Sequence, residues 1–197
     1  MFDLTGKVAL VTGSSQGLGA AIARCMADAG ADVVINYVSE SSKEKAEKAA
    51  EYVRGKGKTA LVIQADVSKE EAVSAMMDAI VQKFGRLDIL VNNAGINSNH
   101  NIDDLTFEEW HRVLNTDIDS GFLCSKYAVP IMRKQKHGRI IMISSMVGQQ
   151  GALFGQVHYA SAKAAQQGFA RTLARSVALD GITVNCVAPG THMTETL

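Results

Sequence analysis

The sequence predicts an α/β fold, a doubly wound parallel sheet in a single domain. Three observations predict it. Short runs rich in β-branched residues alternate with longer stretches of helical period. The strand candidates are nearly continuous in apolar residues, as strands covered on both faces are. No linker, repeat or low-complexity tract interrupts the alternation, and Pro130 and Pro189 are the only prolines. Such alternation implies right-handed βαβ crossovers and the strand order 3-2-1-4-5-6.

The elements follow in order. "KVALVT" (7–12) is the first strand, and the helix after it lines up Leu18, Ile22, Cys25, Met26 and Ala29 on one face. "DVVIN" (32–36) is the second strand. The mixed charges of "KEKAEKAAEYVRGKGK" (43–58) mark a solvated helix face behind it. "TALVIQ" (59–64) leads to a helix with Val73, Met76, Met77, Ile80 and Phe84 on one face. "LDILVN" (87–92) is the fourth strand. The stretch from Phe107 to Gln135 has helical period throughout, and its "SGFLCSKYAVPIM" segment is apolar on more than one face. Either a second copy of the chain or deep packing within the monomer would cover it. "GRIIMIS" (138–144) and "ITVNCVA" (182–188) complete the sheet.

Composition narrows the function. The 197 residues are 47% hydrophobic, enough for a sizeable core. Twenty basic and twenty acidic residues cancel without a cationic cluster, which argues against nucleic acid and anionic membranes as partners. No apolar run reaches the roughly 20 residues of a membrane helix. Cys25, Cys124 and Cys186 stand far apart in apolar surroundings and read as reduced packing residues of a cytoplasmic protein. The N-terminal residues show no secretory signal pattern.

"VTGSSQGLGAAIA" (11–23) follows the first strand directly and opens a helix, where a doubly wound fold binds a dinucleotide. Glycines there allow a tight turn and close approach to a pyrophosphate. The spacing Gly13-x-x-x-Gly17-x-Gly19 is wider than G-x-G-x-x-G. At the end of the second strand an acid would favour NAD by binding the ribose 2′-OH. Tyr37 stands there instead, followed by Ser39, so a 2′-phosphate is not repelled. No Lys or Arg is placed to grip it, because the loop position is Gln16. NADP(H) is favoured, with NAD(H) also allowed.

"TGSSQGLG" (12–19), "NNAG" (92–95), "ISS" (143–145), Tyr159-x-x-x-Lys163 and "VAPG" (187–190) occur in this order. Together they resemble the short-chain dehydrogenase/reductase family over essentially the whole chain. The sequence is similar both to its 3-oxoacyl-carrier-protein reductases and to its bacterial sugar dehydrogenases. The resemblance implies a Rossmann-type domain over residues 1–197, and an oxidoreductase that interconverts a ketone and a secondary alcohol with a nicotinamide cofactor. It implies that Gly13, Ser15, Gln16, Gly17, Leu18 and Gly19 cradle the pyrophosphate. Tyr37 would face the adenosine ribose, Asp66 and Val67 the adenine, and Asn93, Ala94 and Gly95 the floor under the ribose. Pro189, Gly190 and His192 would fix the nicotinamide. Ser145 would bind the substrate oxygen, Tyr159 would exchange its proton, and Lys163 would hold the ribose and acidify Tyr159. A homodimer or homotetramer is the expected assembly.

The chemistry is adequate in magnitude. A free tyrosine titrates near 10, so working near pH 7 asks for about 3 units, or roughly 4 kcal/mol. An ammonium about 4 Å away at an effective dielectric of ~20 supplies that much. Adjacent strand residues face apart, and the family pattern selects Ser145, three residues before Gly148. The segment to Tyr159 is one residue longer than the family's, which leaves Ser144 as the alternative. "QQGALFG" (149–155) suggests an apolar pocket wall. One departure lies seven residues after Trp110, where the family places an asparagine and this chain has Asp117. An ionised Asp117 near Lys163 would disfavour tyrosinate and move activity to higher pH. A second departure is that the sequence stops at "PGTHMTETL", where the family's lid, a further helix and a last strand are expected to follow. Two other readings stand beside the enzyme: a nonenzymatic NADP sensor, and a truncated inactive chain.

Overall fold

The computed structural model describes residues 2–190. Six parallel strands form one sheet: β1 (Val8–Val11), β2 (Asp32–Tyr37), β3 (Ala60–Gln64), β4 (Ile89–Asn92), β5 (Gly138–Ile143) and β6 (Ile182–Val187). Their order is β3-β2-β1-β4-β5-β6, as the alternation predicts. The order reverses between β1 and β4, and that crevice is where such sheets bind ligands.

The pleat divides the core in two. Val8 and Leu10 of β1 join one apolar cluster, with Leu90, Ile140 and Val184 from the neighbouring strands. Ala9 and Val11 join the other, with Val33, Ile35 and Val91. Strand side chains alternate between faces, so both faces of β1 must be apolar. Each fully buried Val, Ile or Leu contributes about 1.5–3 kcal/mol. The helices α1 (Gly17–Asp28) and α2 (Lys43–Gly55) cover the second cluster with small residues such as Ala23, Ala27, Ala46 and Ala50. The first cluster is covered by α3 (Glu70–Phe84) and by Cys124, Ala128, Met132 and Ala170 from two later helices.

The long helical stretch after β4 is not one helix. It is α4 (Phe107–Leu114), a π-helical turn (Asn115–Asp119) and α5 (Ser120–Gln135). A π-turn adds one residue to the helical repeat, and such turns recur at functional sites. Here the wide turn buries Asp117, whose backbone carbonyl accepts from Gln166 Nε2 at 2.7 Å. A one-turn helix, α6 (Val147–Gln150), follows β5, and α7 (Val157–Val177) leads into β6.

Candidate active site

The first half of the site is built from backbone. Between β1 and α1 the chain turns sharply, with Gly13 and Gly17 at left-handed φ of 61° and 56°. Glycine adopts that conformation without strain. Gly19 serves a close approach: a Cβ there would stand 2.4 Å from the Gly13 carbonyl oxygen and 2.5 Å from Asn93 Nδ2. Buried polar side chains fasten the turn. Asn36 accepts from the Gly13 N–H and donates to the Ala65 carbonyl, both at 3.0 Å. Thr12 Oγ1 accepts the N–H groups of Asn93 and Ala94, both at 2.9 Å, and Asn93 Nδ2 donates to the Thr12 carbonyl at 2.8 Å. "NNAG" is therefore bolted to the glycine turn rather than being a free loop. Ser15 is half-buried beside it, and the Leu18 side chain packs on the core, leaving its backbone to the site. The first N–H groups of α1 have no intrahelical acceptor and sit at the positive end of the dipole. This cradle fits a pyrophosphate. Beyond β3, Val67 is buried, and Asp66 Oδ1 accepts from the Ser68 N–H at 3.0 Å and from its hydroxyl at 2.7 Å.

Two expectations for this half change. Tyr37 does not face the cradle: it is 7% exposed and packs into the cluster beneath α1 and α2. β2 runs through residue 37, and its pleat turns Asn36 toward the glycine turn and Tyr37 away. Second, a cation does reach the Gln16 position. Lys45, in the first turn of α2, brings Nζ to 2.6 Å from Gln16 Oε1. The two lie on different elements, so their spacing in sequence gives no hint of contact.

The second half is built from side chains, most of them buried. Lys163, on α7, is 4% exposed. Its ammonium donates to the Ile143 carbonyl at 3.0 Å and pairs with Asp117 Oδ2 at 3.1 Å. Asp117 Oδ1 accepts the Ile96 N–H at 2.7 Å, and Gly95 lies against the same carboxylate. Burial pushes the Asp117 carboxyl above its ordinary range, while Lys163 and the Ile96 N–H pull it back. Ser144 donates to the Lys163 carbonyl at 2.7 Å and accepts from Gln167 Nε2 at 3.2 Å. Its hydroxyl is occupied with α7, whereas Ser145 Oγ accepts the Val147 N–H, at 3.4 Å, and is near enough to act on the Tyr159 phenol. Burial raises the Tyr159 phenol above its ordinary 10.0, Asp117 adds to the rise, and the Ser145 contact opposes it. The Lys163 ammonium is 5.3 Å from the Tyr159 ring centroid, and Asp117 meets its charge.

A cavity of about 720 Å³ opens between the loop at 99–101 and the segment 146–156, next in sequence to Ser145 and close before Tyr159. Met146, Val147, Leu153 and Phe154 form apolar wall, and Asn99, His100 and Gln150 are among its polar lining. At its edge the Pro189 carbonyl accepts the Met146 N–H at 3.0 Å, and Gly190 approaches the same methionine. His192 lies outside the described residues. No helix among the described residues is long and apolar enough to cross a membrane.

A glycine cradle at the switch point of a doubly wound sheet, with a serine, a tyrosine and a lysine gathered beside it, defines a dinucleotide-dependent oxidoreductase. More particularly, the chain belongs to the short chain dehydrogenase family, whose model matches residues 7–197. It is 42% identical to a 3-oxoacyl-acyl-carrier-protein reductase of Synechocystis, over 100% of this chain and 80% of that protein. It is 43% identical to reductases of the same name from Staphylococcus aureus, covering 97% of this chain and 78% of each relative. Among solved structures, a protein of Sinorhizobium meliloti described as a short-chain alcohol dehydrogenase superimposes with a TM-score of 0.92 at 33% identity, covering 98% of this chain and 75% of that one.

Proposed function

We propose that the protein reduces a 3-oxoacyl-type ketone to the secondary alcohol with NADPH, Tyr159 giving the proton. The observation that carries this reading is the meeting of Ser145, Tyr159, Lys163 and Asp117 beside an apolar cavity and the glycine cradle. The bound nicotinamide supplies the hydride. Gly13, Gly17 and Gly19, with the backbone of Ser15, Gln16 and Leu18, hold the pyrophosphate. Asp66 and Val67 would flank the adenine, Asn93, Ala94 and Gly95 the ribose, and Pro189 and Gly190 the nicotinamide. The Ser145 hydroxyl donates to the ketone oxygen where negative charge develops. Tyr159 gives its proton to the same oxygen, and Lys163 steadies the ribose. The phenol, held above its ordinary value by burial, carries its proton at neutral pH, and efficient transfer would need Lys163 and the bound cofactor to bring it down toward the working pH.

NADP(H) is preferred over NAD(H) because β2 ends without a carboxylate and Lys45 stands ready for a 2′-phosphate. The walls at Leu153 and Phe154 suit an acyl chain. Asn99 and Gln150 could instead meet hydroxyls, which favours the second reading, a sugar or polyol dehydrogenase. We place the enzyme in the cytoplasm as a homodimer or homotetramer. Free cysteines support the first, and Phe122, exposed on α5 and edge-to-face with Phe169, supports the second.

The test is NADPH oxidation with an acetoacetyl thioester, against glucose oxidation with NADP, for the parent and Tyr159→Phe. Turnover is expected on the thioester, falling roughly 10²–10⁴-fold in Tyr159→Phe while NADPH still binds. Faster turnover on the sugar selects the dehydrogenase. Tight NADPH binding without turnover selects a sensor.

A further inference from the structure

Directly before Tyr159, at the start of α7, His158 is fully buried. Its Nε2 lies 2.8 Å from Ser98 Oγ, and the Ser98 hydroxyl reaches Glu109 Oε1. Glu109 is clamped by Arg112, with Nε at 2.6 Å from Oε2 and Nη2 at 2.7 Å from Oε1. Arg112 first, and Ser98 next, hold the Glu109 carboxyl down to about 2. This acid stands three residues after the Thr106 cap, where a capping-box glutamate would turn back to the cap N–H. Here it turns to Ser98 instead.

Counting protons fixes the chain. An ionised carboxylate only accepts, so Ser98 gives its single proton to Glu109. Ser98 Oγ must then accept from His158, whose Nε2 therefore carries a proton, and burial favours the neutral ring. Nδ1 is buried without a hydrogen-bond partner among the described residues. A serine, a histidine and a glutamate in contact suggest a hydrolase triad, but there the histidine sits between acid and serine. Here the serine sits in the middle, with its proton turned to the acid, so it is no nucleophile.

The chain crosses three elements. Glu109 and Arg112 belong to α4, Ser98 to the loop after "NNAG", and His158 to α7. The same loop is joined to the entry of α7 by the His100 N–H to the Gly155 carbonyl at 2.7 Å and by Gln156 Nε2 to Asn99 Oδ1 at 2.9 Å. Loop, cavity wall and the first turn carrying Tyr159 thus share one clasp.

We propose that His158, neutral and donating through Nε2 to Ser98, is a positioning residue for Tyr159, and that its protonation releases the clasp. The proposal rests on Tyr159 being the proton donor. An imidazolium would place a second N–H at Nδ1, buried and without an acceptor, which costs free energy. The groups facing the ring are Glu109 and Arg112 from α4, His100 from the loop and Asp117 from the π-turn. Burial is the largest influence and sets the ring below its ordinary 6.5, with Glu109 and Asp117 opposing it. A lowered folded-state value means the unfolded chain takes the proton first. The stability His158 contributes is therefore present above about 6.5 and lost as pH falls through the folded value.

The experiment compares the parent, His158→Leu, Ser98→Ala, the double variant and His158→Gln, whose amide can still donate to Ser98 but does not titrate. In the parent, ¹⁵N-histidine spectra should show the Nε2–H tautomer; this readout needs no turnover, so it stands apart from failure of the catalytic reading. His158→Leu and Ser98→Ala should each lower kcat roughly tenfold, the scale of a small misplacement of a reacting group, with NADPH affinity kept and the double variant no worse. His158→Gln should restore most of kcat and remove the acid-side loss of thermal stability. An Nδ1–H tautomer, an unchanged kcat in both single variants, additive losses, or an acid limb kept in His158→Gln would each overturn the proposal.

Discussion

The two halves of the site are made of different material. The dinucleotide half is backbone: a glycine turn, the opening N–H groups of α1, and uncharged side chains, Thr12 and Asn36, that fasten the turn from behind. The half around Tyr159 is side chain, with Lys163 and His158 both buried within reach of the Asp117 carboxylate. The difference teaches where each half is vulnerable. A backbone cradle has no titrating group to lose and fails when a Cβ intrudes. A nest of buried charges tolerates steric change better than a change of protonation, because an unpaired buried charge is the costly state.

The sharpest way to break the comparison is a methyl group in the cradle. In Gly19→Ala the new carbon would lie 2.4 Å from a backbone oxygen, which has no rotamer by which to retreat. The turn must open. Overpacking of this kind costs about 1–3 kcal/mol, and dinucleotide affinity should fall by roughly 10–100-fold with the acid side of the pH–rate profile unchanged. Fluorescence titration with NADPH checks it. Affinity equal to the parent's would show that the cradle is looser than its contacts imply.

The same division explains what could be read from sequence. The strand order follows from local signals, because apolar runs and glycine spacing act over a few residues. The glycine turn and the Tyr159–Lys163 spacing were each ambiguous alone, and only their order with the other motifs pointed to a site. The π-turn at Asn115–Asp119 was not, since one inserted residue barely disturbs a helical period, although Asp117 itself stood out as a departure. Tyr37 was placed at the ribose because it stands where an acid is sought at the end of β2, but alternation along the strand puts its side chain in the cluster beneath α1 and α2. Lys45 and the Ser98–His158 contact join segments 29 and 60 residues apart, and no periodicity encodes a tertiary contact. A lysine in the first turn of the helix after β2 was the available signal for the first. A histidine beside the tyrosine was the signal for the second.

Within the charged half, Asp117→Asn sharpens the contrast. The carboxylate raises the Tyr159 phenol, so its removal should lower that value. The amide oxygen still accepts from Ile96, while Lys163 loses the anion at 3.1 Å and its field on the phenol is no longer cancelled. The alkaline limb of ketone reduction should move down by about one pH unit, and alcohol oxidation at neutral pH should gain. Profiles recorded in both directions check the sign. Superimposable curves would remove Asp117 from any influence on the proton donor.

The smallest effect belongs to a charge beside the glycine turn. Lys45 is exposed, and its partner Gln16 is neutral, so the contact between them contributes little by itself. A 2′-phosphate beside Gln16 would give the ammonium a far stronger partner. An exposed ion pair contributes up to about 1 kcal/mol, so Lys45→Met should weaken NADPH roughly fivefold and leave NADH unchanged. Added salt should erase the difference, because screening acts over about 8 Å at physiological ionic strength. Equal weakening of both nucleotides would mean that Lys45 supports the turn rather than reading the phosphate. In that case the preference for NADP would rest on the missing carboxylate at the end of β2 alone.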